Sequence, residues 1–257
     1  MRKSLIAATM LLACLSVKGQ NVQFHYDFGR SMYNAEDTNN GDRGNVTVTY
    51  EKFSADNWGS WYYFVDFDFY NKGMKGAYTE ISRELNFWKE SKLGAISAHF
   101  EYNGGLCVGR GNTYGSMYQP AMLIGPAYNG HSKDFSKTWS VQALYKKYFK
   151  GYGGSAYDGW QLTGVWSTTF AHQALTFSGF ADLWYDNRVD GNLIFLTEPQ
   201  LWFNFKSIKG FEASKLSIGT EVEISNNFVA SKNLPVWNDS KHQTFFVNPT
   251  LALKWSF

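Results

Sequence analysis

A transmembrane antiparallel β-barrel of about twelve strands is the fold this 257-residue sequence predicts. Three observations predict it. The last residues alternate: Phe245, Val247, Leu251, Leu253, Trp255 and Phe257 oppose Thr244, Asn248, Thr250, Lys254 and Ser256. A period of two that runs to a terminal aromatic is the pattern of a closing barrel strand, apolar toward lipid and polar toward the lumen. Aromatics make up 18% of the chain, with 10 Trp and 16 Tyr, although the mean hydropathy is negative. A barrel reconciles the two, since only every second residue is apolar and Trp and Tyr form girdles at both interfaces. Finally, the chain starts with an export signal.

That signal consists of Arg2 and Lys3, an apolar run from Leu5 to Leu15, and the small-residue site Val17-Lys18-Gly19. The apolar run is too short to span a bilayer as a helix. Cleavage is expected after Gly19, giving a signal peptide over 1–19 and one barrel domain over 20–257. A competing reading takes Leu11-Leu12-Ala13-Cys14 as a lipoprotein box acylated on Cys14, although Leu just before the small residue fits such boxes poorly. Either way the protein leaves the cytoplasm, and the barrel pattern predicts the outer membrane of a Gram-negative cell. Once the signal is removed, Cys107 is the remaining cysteine and no intramolecular disulfide can form. It reads as an ordinary half-buried residue.

Twelve segments carry strand patterning, at about 22–31, 45–54, 58–70, 77–88, 93–103, 115–129, 137–149, 159–170, 173–185, 192–205, 214–228 and 243–257. An even count places both termini on the periplasmic side, and the longer connections follow the odd-numbered segments, as outward-facing loops do. Asn39-Asn40-Gly41-Asp42, Gly151 to Ser155 and Asp190-Gly191-Asn192 supply turn chemistry. Pro120 and Pro126 should make the sixth segment irregular or bulged.

Alternation also assigns faces. In the third segment Trp61, Tyr63, Val65, Phe67 and Phe69 oppose Tyr62, Phe64, Asp66 and Asp68. In the ninth, Leu175, Phe177, Ala181 and Leu183 oppose Phe180, Asp182 and Trp184. In the tenth, Leu193, Phe195, Leu201 and Phe203 oppose Glu198, Gln200, Trp202 and Asn204. A slip of one residue would put the carboxylates in lipid, so the register is well specified. Arg83 falls on the lipid face, which at mid-bilayer costs roughly 2–4 kcal/mol. A bulge or a position near an interface is therefore expected there.

The inward set is acidic: Asp27, Glu51, Asp66, Asp68, Glu80, Glu84, Glu101, Asp182, Glu198, Glu221 and Glu223, offset by His25, His99, Lys146 and Lys254. Such a lumen repels anions and admits neutral or cationic solutes. Phe53, Tyr62, Phe64, Phe180, Trp184, Trp202 and Phe246 are interleaved with the acids. Aromatic faces beside hydrogen-bond acceptors suit a flat ring joined to a sugar. The plainer reading is that these aromatics fill space and the acids form a solvated wall.

Glu51 to Trp58, followed by Tyr62-Tyr63-Phe64-Val65-Asp66, resembles the second hairpin of the Tsx-like, nucleoside-specific channel-forming outer-membrane proteins. Tyr78 to Leu85 resembles that family's next strand. Tyr157-Asp158-Gly159-Trp160 and Ser178-Gly179-Phe180-Ala181-Asp182 are similar to its later ones. Ser82-Arg83 departs from it, where the family often carries an acidic residue and Pro. The resemblance implies a narrow twelve-stranded barrel that passes nucleosides by facilitated diffusion. It also implies that Glu51, Phe53, Tyr62, Phe64, Asp66, Glu80 and Glu84 are pore or substrate contacts. Asp68, Asp182, Trp184, Glu198 and Trp202 join this candidate site from their face assignment alone.

No His pairs with a Ser in a recognisable local motif, and the sequence shows no metal-ligand spacing, phosphate-binding Gly loop or basic nucleic-acid stripe. No enzymatic activity, cofactor or nucleic-acid polymer is therefore expected. The expected partners are nucleosides or similar small solutes, outer-membrane lipid, and the barrel-assembly machinery through the strand ending in Phe257. The competing functions are a general or differently selective small-solute porin, and a plugged structural or adhesin barrel.

Overall fold

The computed structural model describes residues 18–29, 32, 46–70, 73–107, 116–151, 154–229, 231 and 243–257. The export signal through Val17, Cys14 within it, and the Asn39–Asp42 turn lie outside these residues. Among the described residues, thirteen strand segments make twelve passes. They are β1 Lys18–Asp27, β2 Val46–Asp56, β3 Gly59–Tyr70, β4 Gly73–Leu85, β5 Ile96–Cys107, β6 Ser116–His131 and β7 Lys137–Tyr148. The second half comprises β8 Tyr157–Phe170, β9 Leu175–Tyr185, β10 Leu193–Thr197, β11 Gln200–Asn204, β12 Leu216–Asn226 and β13 Phe245–Ser256. Neighbours in sequence pair antiparallel throughout, and β13 pairs with both β12 and β1, which closes the barrel. Closure leaves no strand edge for other chains to pair with.

β10 and β11 are one pass interrupted at Glu198-Pro199, with β9 on one side and β12 on the other. Pro199 has no N–H for the ladder, and the break is held by Glu198 N donating to Phe180 O. Gly179 lies across the break with φ of 152°, and a Cβ there would sit 2.5 Å from Glu198 O. Only glycine fits that approach. The sixth segment is bulged as expected. Asn103 pairs with Ala121 but Gly105 pairs with Tyr118, so the extra residue falls at Gln119–Pro120. Near Pro126 the β6–β7 ladder passes from Ile124↔Tyr145 straight to Ala127↔Gln142.

Several boundaries differ from the sequence reading. β1 begins at Lys18 rather than 22, because Lys18 to Tyr26 pair continuously with Ser54 to Val46. β4 begins at Gly73, leaving residues 71–72 to join it to β3, and β5 begins at Ile96. The connection over 86–95 is thus the longer of the two, reversing the order read from the sequence. Asn86 holds it, with its N–H on Trp58 O and its Nδ2 donating to Gly94 O at 2.5 Å.

The outer wall is apolar. Phe24, Tyr26, Met122, Ile124, Trp139, Val141, Leu162, Leu251 and Leu253 are all exposed, which is the normal state of a surface solvated by lipid. Arg83 is outward-facing. Its Nη2 pairs with Asp56 Oδ1 at 2.9 Å, and its guanidinium lies 5.0 Å from the Trp61 ring centroid. Trp61 is two residues from the β2–β3 turn, so Arg83 sits at the barrel end, and the register is regular beside it. A position at the interface, not a bulge, resolves its charge.

Candidate functional site: the barrel lumen

Residues facing the lumen form two unlike walls. Along β2–β5 the registers build rows. Phe53 faces Tyr62, then Ser82, then Glu101; Glu51 faces Phe64, then Glu80, then Asn103; Thr49 faces Asp66, then Tyr78. Each carboxylate is oriented by a hydrogen bond, from a neighbouring strand for Glu51, Asp66 and Asp68 and from its own strand for Glu80. Asn21 Nδ2 donates to Glu51 at 2.9 Å, Thr49 to Asp66 at 2.5 Å, Thr47 to Asp68 at 2.7 Å, and Tyr78 to Glu80 at 2.7 Å. Ring centroids run from Tyr62 to Phe64 at 6.2 Å, from Phe64 to Tyr78 at 6.1 Å and from Tyr78 to Tyr118 at 5.3 Å. Phe53 and Tyr62 stay 38% and 37% exposed although they face inward. A side chain inside a closed barrel keeps that much free surface only where the lumen beside it is open.

At the end that carries the termini, Glu84 accepts from Ser97 Oγ and contacts His99 Nδ1 at 2.6 Å, while His99 Nε2 contacts Glu101 at 3.2 Å. Asn129 completes this network by donating to Ser97. Ser97 is bonded to a carboxylate and not to the imidazole, so the group does not form a nucleophile–base pair. No cluster of His, Cys, Asp and Glu suited to a metal occurs among the described residues.

The wall built by the later strands is packed. Trp202 and Phe246 have no exposed surface and Trp184 keeps 8%. Trp202 donates from Nε1 to Gln200 at 2.9 Å and receives Lys254 Nζ 3.9 Å above its ring. Gly219 stands opposite, where a Cβ would lie 2.6 Å from the indole. Toward the other end, Leu123, Leu144, Tyr148, Trp184, Ile194 and Leu196 make an apolar cluster inside the barrel.

Val189, from the loop joining β9 to β10, fills that cluster at 2% exposure. The loop is pinned by a forked ion pair between Arg188 and Asp186, by Arg188 Nη1 on Gln119, and by Asn227 Nδ2 on the Asp190 and Leu193 carbonyls. Burial alone would raise the Asp186 carboxyl. The Arg188 hydrogen bonds outweigh it and hold the group below the usual carboxylate range.

The sequence-selected residues therefore divide. Glu51, Phe53, Tyr62, Phe64, Asp66, Asp68 and Glu80 come together on the open wall, with Glu84 at its terminal end. Asp182 faces the lumen from β9, in register with Thr163 and Leu196. Glu198 occupies the break between β10 and β11. Trp184 and Trp202 face inward but lie within the packing, unlike Phe53 and Tyr62.

A family model described as a domain of unknown function, DUF5020, matches residues 19–257. The chain belongs to the DUF5020 family. No curated protein matches it. Among solved structures, the NanC porin is similar at a TM-score of 0.53 and 8% identity, covering 92% of this chain and 98% of that one. LpxR from Salmonella typhimurium matches at a TM-score of 0.46 and 8% identity, over 93% and 100% of the two chains. OccK3 (OpdO) from Pseudomonas aeruginosa matches at 0.34 and 8%, over 97% and 98%. The NanC likeness is one of fold: this DUF5020 chain is an outer-membrane-type β-barrel.

Sequence reading missed the lumen's apolar cluster and its inward loop. Met122-Leu123-Ile124 is apolar on both faces, so alternation alone does not choose which side chain points inward. Val189 carries no local signal, because its burial depends on the Asp186–Arg188 clamp.

Proposed function

We propose that this DUF5020 barrel is an outer-membrane channel through which nucleosides diffuse passively along the open β2–β5 wall. The observation that carries this reading is the pairing of exposed inward aromatics, Phe53 and Tyr62, with the oriented carboxylates Glu51, Asp66 and Glu80. A nucleobase is flat and stacks on an aromatic ring for about 1–3 kcal/mol. Its sugar hydroxyls donate to carboxylates, which only accept. The carboxylate excess disfavours anionic phosphorylated forms, which selects the neutral nucleoside. The fold likeness to a porin and the resemblance of the second hairpin to nucleoside channels support the same reading. The strand ending in Phe257 is the segment proposed to engage the assembly machinery.

Planar-bilayer recording on the refolded protein tests the channel. Adenosine or thymidine should reduce ion conductance at concentrations where glucose does not. Tyr62→Ala or Phe64→Ala should raise the nucleoside concentration needed for half block by about tenfold, with open-pore conductance retained. Conductance that responds equally to glucose and adenosine would make the barrel a general small-solute porin. A barrel that passes no current would be structural.

A further inference from the structure

Between the open wall and the packed cluster lies a group of side chains of which the nucleoside reading uses only Glu80. Glu80 on β4, Glu101 on β5 and Asp182 on β9 lie within electrostatic reach of one another, and Lys146 on β7 is the cation that faces all three. Lys146 is already engaged. Its Nζ donates to Gln161 Oε1 at 2.7 Å and lies 4.9 and 5.1 Å from the Trp184 and Tyr148 ring centroids. With Glu84, which shares His99 with Glu101, four carboxylates stand against two basic side chains, Lys146 and His99, so the group has an excess of acids.

The second observation comes from neutral side chains. Asn103 and Gln142 are only 5% and 7% exposed, yet Asn103 Oδ1 and Gln142 Oε1 are buried with no hydrogen-bond partner. Glu101 Oε1 and Asp182 Oδ1 share this condition. The register sets two of them side by side on β5 and the other two on one row across β7–β9. Asn103 is the cross-strand partner of Glu80 and lies two residues from Glu101, while Gln142 faces Thr163, whose other neighbour is Asp182. A buried acceptor without a donor is costly, and native structures rarely leave one unexplained. The pair on β5 beside Glu80, Asn103 Oδ1 and Glu101 Oε1, calls for a partner that brings several N–H or O–H groups.

We infer that this mid-lumen group is a binding site for a small organic cation carrying a primary ammonium. A primary ammonium offers three donors and no acceptor, matching acceptors that lack donors, and its charge answers the net negative field. A bare metal ion fits less well, because the described residues do not converge on one point as a ligand set. Apolar side chains adjoin the charges: Leu123 is the cross-strand partner of both Glu101 and Lys146, and Leu196 is the partner of Asp182. This site goes beyond the nucleoside reading and uses none of its exposed aromatics.

Ethanolamine and choline separate donor chemistry from charge, since both carry one positive charge and one hydroxyl, but only ethanolamine has ammonium N–H groups. In planar bilayers carrying the refolded barrel, ethanolamine should reduce potassium current at a concentration about tenfold below that for choline, the scale of one charge-assisted hydrogen bond. Glu101→Gln and Asp182→Asn should each weaken the ethanolamine effect by several-fold and the choline effect less. Asn103→Leu, which keeps every charge, should weaken the ethanolamine effect by several-fold and leave the choline response unchanged, which excludes a difference of size alone. Equal effects of the two amines on the wild-type channel would overturn the assignment. So would an ethanolamine effect that survives all three substitutions, or the absence of any effect. The wild-type comparison decides the matter even if a variant fails to fold.

Discussion

The lumen's two walls are built from the same strand pattern but do opposite work. Along β2–β5, Phe53 and Tyr62 face inward with more than a third of their surface free, beside Glu51 and Asp66, each fixed by a hydrogen bond from an adjoining strand. On β11 and β13, Trp202 and Phe246 also face inward, yet both are fully enclosed. An inward aromatic is therefore not by itself a pore contact. What distinguishes the walls is the depth of the layer covering them. Gly219 makes room for Trp202, Lys254 caps it, and Val189 is inserted from a loop above the neighbouring cluster. Packing on one side leaves the passage to the other.

The largest effect that would break this contrast is on stability. Trp202→Ala should cost about 3–5 kcal/mol, as deletion of a fully enclosed aromatic does. Tyr62→Ala should cost less than about 1 kcal/mol, since it removes a ring already in contact with water. Urea unfolding of the two variants in the same lipid checks the difference, and similar midpoints would mean that the walls are equally packed. A second measurement sharpens it through charge. Glu51→Gln combined with Asp66→Asn should lower the cation-to-anion permeability ratio by several-fold, because these acids line the open wall. Glu223→Gln, at a carboxylate 6% exposed that accepts from Asn248, should change the ratio much less. Reversal potentials in asymmetric salt give both numbers.

The smallest expected effect concerns the loop that holds Val189. The Asp186 carboxyl is depressed below its ordinary value, so its stabilising contribution is present above the usual carboxylate range and is lost as pH falls through the lower folded-state value. Protease protection of the β9–β10 loop should be unchanged from pH 7 to pH 5 and should decline only below about pH 4. Asp186→Asn should give the unprotected pattern at neutral pH. Early loss of protection near pH 5 in the wild type would show that Arg188 does not hold the loop.

The contrast also explains what the sequence made legible. Strand passes and their inward faces follow from a period of two, which is strong wherever one face is charged, as at Asp66 and Asp68 or Glu221 and Glu223. The pattern fails where both faces are apolar, as at Met122-Leu123-Ile124, and where glycine or proline replaces a patterned side chain, as at Gly73, Gly76 and Pro199. The open wall could be read because its acids mark the register. The depth of Trp184 and Trp202 could not, because burial within a barrel is set by what the opposite strands and loops contribute. Arg83 was an apparent violation whose resolution lies in Asp56, a residue on another strand.

The pairing of β1 with β13 has a temporal consequence. His25 and Thr250, hydrogen-bonded at the seam, are 225 residues apart in the chain, whereas every other adjoining pass comes next in sequence. Hairpins can zip locally and fast, but the cylinder cannot shut until its first and last segments meet, and joining such distant segments is intrinsically slow. Between those events the polypeptide carries two bare edges open to pairing with other chains, and folding ends with a single late latch.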